Sequence, residues 1–141
     1  MRAGYIDTSF LLSLIFRDEN YEKSRNVWNE LDLKFSSILL DIEASVNIYK
    51  YYIISKKDSS LYSHKETELN VILSNINKKI VDSEILLEIR NVDKLKRPRS
   101  LDSIHLATAH ILNKLSTDRI TICSYDKNML DISSELGLAI I

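Results

Sequence analysis

Short β-like runs alternating with longer amphipathic segments predict an α/β chain, a three-layer α/β/α sandwich around a mainly parallel central sheet of about four or five strands. Two observations carry this expectation. The strand-like runs are separated by helical segments rather than tight hairpin turns, and parallel neighbours require such crossovers. The chain is also 45% hydrophobic with only 2 Gly and 1 Pro in 141 residues, the size and apolar content of one domain, 1–141.

Residues 3–6 read as the first strand and 8–16 as a helix with apolar residues on nearly every side, as when a helix is buried against a sheet; Asp7 is the boundary. Residues 21–31 place Val27, Trp28 and Leu31 at helical spacing, and 35–38 read as a second strand. A long helix over 39–55 follows, with Leu39, Ile42, Val46, Tyr49 and Ile53 as its expected inner stripe. The polar stretch 56–60 turns the chain into a second amphipathic helix, 61–76, with Leu69, Ile72, Leu73 and Ile76 on one side, so that the pair forms a helical hairpin. Residues 79–81 suggest a brief strand and 83–91 a helix. The basic loop 94–99 contains Pro98, which disfavours helix just before it, and Ser100 is read as the cap of a helix over 101–115. That helix is apolar around most of its circumference and is expected to be central. Residues 120–124 are the clearest strand, 128–136 a helix stopped by Gly137, and 138–141 a last edge strand.

Composition narrows the function classes. The 19 basic and 20 acidic residues nearly cancel, so no global field draws in a polyanion, and any nucleic acid must be held by a local patch. The single cysteine, Cys123, excludes an intramolecular disulfide and a thiolate zinc site, and its apolar surroundings suggest a buried thiol in a reducing, cytoplasmic setting. The first sixteen residues superficially resemble a signal peptide, but Asp7 interrupts them and no small-residue cleavage site follows. No run approaches the ~20 apolar residues of a membrane span.

Four acids stand just after apolar runs or in the first helical turn beyond them: Asp7, Glu43, Asp102 and Asp126. Each alone has an ordinary explanation. Asp7 and Asp126 suit helix N-caps, Asp102 a first-turn acid favoured by the helix dipole, and Glu43 a partly exposed helix position. Jointly they suit something else, because ligands in parallel α/β folds bind beyond the carboxyl ends of the strands, where all four fall. Clustered carboxylates must share a proton or hold a cation, and oxygen donors without Cys or paired His favour Mg2+ or Mn2+ over zinc.

The surrounding segments are also specific. Tyr5-Ile6-Asp7-Thr8-Ser9-Phe10-Leu11-Leu12, Ser36-Ser37-Ile38-Leu39 with Glu43, Arg99-Ser100-Leu101-Asp102-Ser103-Ile104-His105-Leu106-Ala107-Thr108-Ala109, and Ser124-Tyr125-Asp126-Lys127 followed by Glu135-Leu136-Gly137-Leu138 resemble, in order and over essentially the whole chain, the PIN domain. In particular they look like the VapC-like toxin ribonucleases of type II toxin–antitoxin modules. The resemblance implies a metal-dependent endoribonuclease whose acidic quartet is Asp7, Glu43, Asp102 and Asp126, with the hydroxyls of Thr8 or Ser9 and of Ser124 as supports. It leaves one versus two ions open. A bound ion would activate a water against the phosphorus and offset charge on the leaving oxygen. Asp7 and Asp102 are the expected direct ligands.

Lys94, Lys96, Arg97 and Arg99 lead into the Asp102 helix and are candidates for holding RNA phosphates; a solvated loop explains the run equally well, except for Arg99, which one turn before Asp102 is placed to screen the carboxylates or contact the scissile phosphate. His105, three residues after Asp102 on the same helix face, reads as a neutral core histidine. Asp41, Asp82, Glu84 and Asp131 read as caps or surface residues. The resemblance further implies an antitoxin protein docking near the 39–76 hairpin and a homodimer, and Tyr49, Tyr51, Tyr52, Ile48, Ile53 and Ile54 do spread apolar surface over more than one face of that hairpin. Two other readings compete. A phosphoacceptor receiver-type domain also gathers acids at sheet ends but needs an adjacent acidic pair after its first strand, where this chain has only Asp7. A catalytically inactive PIN-like binding or regulatory module would lack a member of the quartet, and none is missing.

Overall fold

The computed structural model describes residues 1–141. Five strands, β1 (Ala3–Ile6), β2 (Leu33–Ser37), β3 (Asn77–Lys79), β4 (Ile120–Cys123) and β5 (Ala139–Ile140), form one sheet in the order β3-β2-β1-β4-β5. Every pairing is parallel. The helices are α1 (Thr8–Phe16), α2 (Tyr21–Glu30), α3 (Leu39–Tyr49), α4 (Tyr62–Leu73), α5 (Ser83–Asn91), α6 (Ser100–Leu115) and α7 (Lys127–Glu135).

Alternation along the strands divides them into layers. Ile6 of β1 and Cys123 of β4 face one core, with Phe10, Leu11 and Ile15 of α1, Leu40, Ala44 and Ile48 of α3, and Leu69 and Leu73 of α4. Ala3 and Tyr5 of β1, with Ile120 and Ile122 of β4, face the other, against Ala109 of α6. A neighbouring cluster packs Ile85 of α5 and Met129 and Ile132 of α7 against Leu106, Ala107 and Ile111 of α6. The three-layer α/β/α sandwich is therefore present. No helix is long and apolar enough to cross a membrane.

The sheet order fixes where a ligand can sit. The chain runs outward through β2 and β3 on one side of β1 and through β4 and β5 on the other, so the direction of winding reverses between β1 and β4. In open parallel α/β sheets such a switch, beyond the carboxyl ends of the two strands, is where ligands bind. Asp7 follows β1 and Ser124 follows β4, paired at Ile6↔Cys123.

Several expectations shift. β2 covers Leu33–Ser37 because Ile38 already has helical geometry and donates its N–H to the Lys79 carbonyl at 2.9 Å. β3 ends at Lys79, leaving the β-prone Ile80 and Val81 exposed rather than paired. The helix expected over 39–55 is α-helical only to Tyr49 and continues as a π-helical turn, Lys50–Ile54. Its buried stripe is Leu40, Ala44, Ile48 and Tyr52, whereas Ile42, Val46 and Tyr49 of the expected stripe are 57%, 44% and 46% exposed. Both stripes are apolar at helical spacing, and the small Ala44 lets α3 lie close against α1. Ser100 is the first residue of α6 rather than its cap; Arg99 takes the extended cap position and its side chain makes no capping bond. Gly137 stops α7 with φ +79°, a left-handed conformation that suits glycine. Cys123 is free and buried, and burial pushes its thiol up to about 12.

Candidate functional site

Asp7 occupies the N-cap position of α1, yet its side chain caps nothing. It is 7% exposed, and its Oδ2 accepts hydrogen bonds from the hydroxyls of Ser9 at 2.8 Å and Ser124 at 2.7 Å. Those hydroxyls in turn accept the backbone N–H groups of Tyr125 at 2.9 Å and Asp126 at 3.0 Å. The loop after β4 thus orients two hydroxyls that hold one oxygen of Asp7. The ordinary cap reading fails at this residue.

Glu43, on α3, is held by two donors on the same oxygen. Thr8 Oγ1 donates to Oε1 at 3.2 Å, and His105 Nε2 lies 2.5 Å from it. Burial raises the proton affinity of Glu43, but the hydrogen bonds from His105 and the Thr8 hydroxyl outweigh it and hold the carboxyl below its ordinary range.

Asp102 lies in the first turn of α6, and no protein donor reaches its carboxylate. Its proton affinity is raised, first by burial, then by the charges of Asp126, Asp7 and Glu43. This is electrostatic evidence that the four acids converge. Asp126 is exposed and is an N-cap in fact: its Oδ1 accepts the Met129 N–H at 3.0 Å. It therefore joins both readings, a cap by its bond and a member of the cluster by its field.

The donor set suits a hard cation. Every atom offered is oxygen, one carboxylate oxygen of each of Asp7, Glu43 and Asp126 and both of Asp102 have no protein donor, and no lysine or arginine pairs with any of the four. The acids are near one another but not closed into a cage: no three Asp, Glu, His or Cys side chains are gathered tightly enough to grip one ion. A cation would draw them inward.

The basic residues are placed less favourably. Arg97 pairs with Glu135 at 2.5 Å, Lys94 donates to the Glu135 carbonyl at 3.0 Å, and Lys96 pairs with Asp93 at 3.0 Å. Glu135 lies at the far end of α7 from Asp126, about 13 Å along the helix axis. Arg99 is exposed and has no ion-pair partner. Asp82 caps α5, accepting from the N–H groups of Glu84 at 3.1 Å and Ile85 at 3.4 Å, as expected for a structural acid.

Two site residues escape a sequence reading. His105, 1% exposed, is more than core filling, because it touches Glu43. Tyr5, fully buried on β1, places its hydroxyl 2.8 Å from His105 Nδ1. The available signal was only that a tyrosine at an inward strand position needs a partner for its O–H.

A family model described as PIN domain matches residues 4–134. Ribonuclease VapC46 of Mycobacterium tuberculosis is 26% identical over 144 residues, spanning 100% of this chain and 98% of that protein. The crystal structure of PAE2754 from Pyrobaculum aerophilum shares the fold with a TM-score of 0.51, at 17% identity, over 97% of this chain and 96% of that one.

Proposed function

The chain belongs to the PIN domain family, and from that premise we propose that it is a Mg2+- or Mn2+-dependent endoribonuclease, the toxin of a toxin–antitoxin pair, acting in the cytoplasm. The observation that carries the proposal is the gathering of four carboxylates, none paired with a lysine or arginine, where burial and then the charges of Asp126, Asp7 and Glu43 raise the proton affinity of Asp102. A chain with no use for a cation has no reason to keep that repulsion at the crevice between β1 and β4. The name of the ribonuclease from Mycobacterium tuberculosis supports the same activity, and family membership sets aside the receiver-type alternative.

In this reading Asp7 and Asp102 ligate the ion through the oxygens left without protein donors, and Glu43 and Asp126 take part directly or through water. The ion, when bound, supplies Lewis acidity: it makes water a better nucleophile and offsets charge at the phosphate. The chain contributes order. Ser9 and Ser124 fix Asp7, Thr8 and His105 fix Glu43, and the Asp126 cap fixes the start of α7. Arg99, unpaired and one turn before Asp102, is the first candidate for an RNA phosphate. Arg97 and Lys96 contribute only by leaving exposed ion pairs, which cost little to break.

The partner proposals rest on surface. A groove of about 330 Å3 between α1, α2 and α4, lined by Leu14, Tyr21, Trp28, Val71 and Ile72, supports antitoxin docking along the hairpin. Ile38, just before α3, and Ile42, Val46 and Tyr49 on it leave an exposed apolar stripe, which supports a homodimer.

The test is incubation of purified protein with total cellular RNA in Mg2+ or Mn2+ and sequencing of the cut ends. Cuts that require metal and vanish in Asp7→Asn are expected. Metal-independent cutting, or full cutting by a folded Asp7→Asn protein, would overturn the assignment.

A further inference from the structure

We propose that Tyr5 and His105 form a directional hydrogen-bond chain that positions Glu43, making His105 a positioning residue for the reaction rather than a core histidine. The inference rests on the ribonuclease reading for its consequence but on geometry for its substance. Asp7 is gripped by Ser9 at the start of α1 and by Ser124 just after β4, and Asp126 caps its own helix. Glu43 is different: it stands on α3, in the other helical layer from α6, at the end of a flexible stem. Its grip comes from Thr8, at 3.2 Å, and from His105, reaching it from α6 at 2.5 Å. No backbone N–H donates to its carboxylate.

The direction of the chain follows from proton accounting. The Tyr5 hydroxyl lies 2.8 Å from His105 Nδ1, with the hydroxyls of Ser36 and Thr108 also beside it. The direction is set at the other end, where the Glu43 carboxylate can only accept, so Nε2 carries a ring hydrogen and donates to Oε1. In a neutral imidazole Nδ1 is then the acceptor, and the Tyr5 O–H donates to it. The rings meet edge to face, with centroids 5.9 Å apart and planes at 78°, which restrains the imidazole from flipping. The Tyr5 end is anchored in β1, beneath α6, at 0% exposure. Two donors on Oε1 leave Oε2 free for a metal or its water.

A merely structural histidine and a positioning one respond differently to amide substitution. The amide nitrogen of glutamine can take the place of Nε2, whereas that of asparagine reaches only about as far as Nδ1. His105→Gln is therefore expected to keep cleavage within a few-fold of wild type. His105→Asn is expected to lose about 100-fold in kcat, the order of loss that follows a displacement of about 1 Å in a positioned group, with the KM for RNA little changed. Tyr5→Phe, which keeps the ring and removes only the hydroxyl, should lower kcat in the same direction.

Two readouts need no RNA. Nitrogen NMR of the imidazole should show an unprotonated Nδ1 and a protonated Nε2 whose slowly exchanging proton shifts in Glu43→Gln. Titration with Mn2+ alone, followed by electron paramagnetic resonance, should show weaker binding by His105→Asn than by His105→Gln. Protonation at Nδ1 instead of Nε2, or equal Mn2+ binding by the two variants at matched thermal stability, would overturn the positioning role. Failure of every variant and the wild type to cut RNA would defeat the ribonuclease reading, and the spectrum and the Mn2+ titration would still decide the chain.

Discussion

At the scale of single residues, Asp102 carries the clearest conflict between folding and use. Burial and the charges of Asp126, Asp7 and Glu43 make its native carboxyl hold a proton more tightly than in the unfolded chain. The native state therefore binds more protons between the ordinary carboxylate range and the raised value, and stability falls as pH rises through that window. Glu43 runs the other way. Its lowered native value gives stability that is present above the ordinary range and lost as pH falls through the lowered one. Asp102→Asn should consequently abolish cleavage yet raise the melting temperature of the metal-free protein, by about 1–3 °C because the group is partly exposed and screened. Calorimetry from pH 4 to 8 should show a smaller fall in stability with rising pH for the variant. Mg2+ should raise the wild-type midpoint by selective binding to the folded state and leave the variant nearly unmoved. A variant less stable than wild type at neutral pH would contradict the repulsion. The four acids were legible in the sequence because chain order and strand ends locate them. Tyr5 and His105 were not, because their roles come from a contact across a hundred residues that no local pattern encodes.

At the scale of elements, boundaries were most legible where side-chain chemistry marks them. Asp7 precedes α1 and Asp82 precedes α5, and both helices begin and end where the pattern places them. The register of α3 was not legible. Its sequence is apolar along two stripes, and only packing against α1 and α4 selects Leu40, Ala44, Ile48 and Tyr52 for the core. The π-helical turn that follows was equally hidden: it keeps Tyr52 at 4% exposure while Tyr51 stacks on Phe16 with centroids 4.5 Å apart. β1 shows a stricter demand. A Cβ on Gly4 would stand 2.6 Å from Leu31 Cδ1 and 3.2 Å from Cys123 Sγ, so a larger residue in the strand that delivers Asp7 requires the Leu31 side chain to move. Gly4→Val should destabilise the protein by about 1–3 kcal/mol through overpacking. Urea unfolding should show a lower midpoint at unchanged slope, and a midpoint equal to wild type would show that Leu31 yields freely.

At the scale of the whole molecule, the parallel sheet was legible because helices intervene between strands, and the site followed from the reversal of winding between β1 and β4. What a sequence leaves open is which apolar surface stays outside. On α3 the exposed side is Ile42, Val46 and Tyr49, continued by Ile38 just before the helix. The Ile38 N–H bonds the Lys79 carbonyl at 2.9 Å, so this stripe runs beside Ile80 and Val81, which are 65% and 44% exposed. An apolar surface continuous across two elements is the kind that oligomers cover. The stripe also flanks Glu43, so a second copy seated there would narrow the approach to the crevice. The proposed homodimer therefore predicts a mass near twice 16.3 kDa by light scattering after size exclusion. Ile42→Lys combined with Val46→Glu should shift the protein to monomer without lowering its melting temperature by more than about 2 °C, because surface changes away from the core cost little. A wild-type protein that runs as monomer at the concentrations used for cleavage would remove the dimer from the account and leave the crevice open on that side.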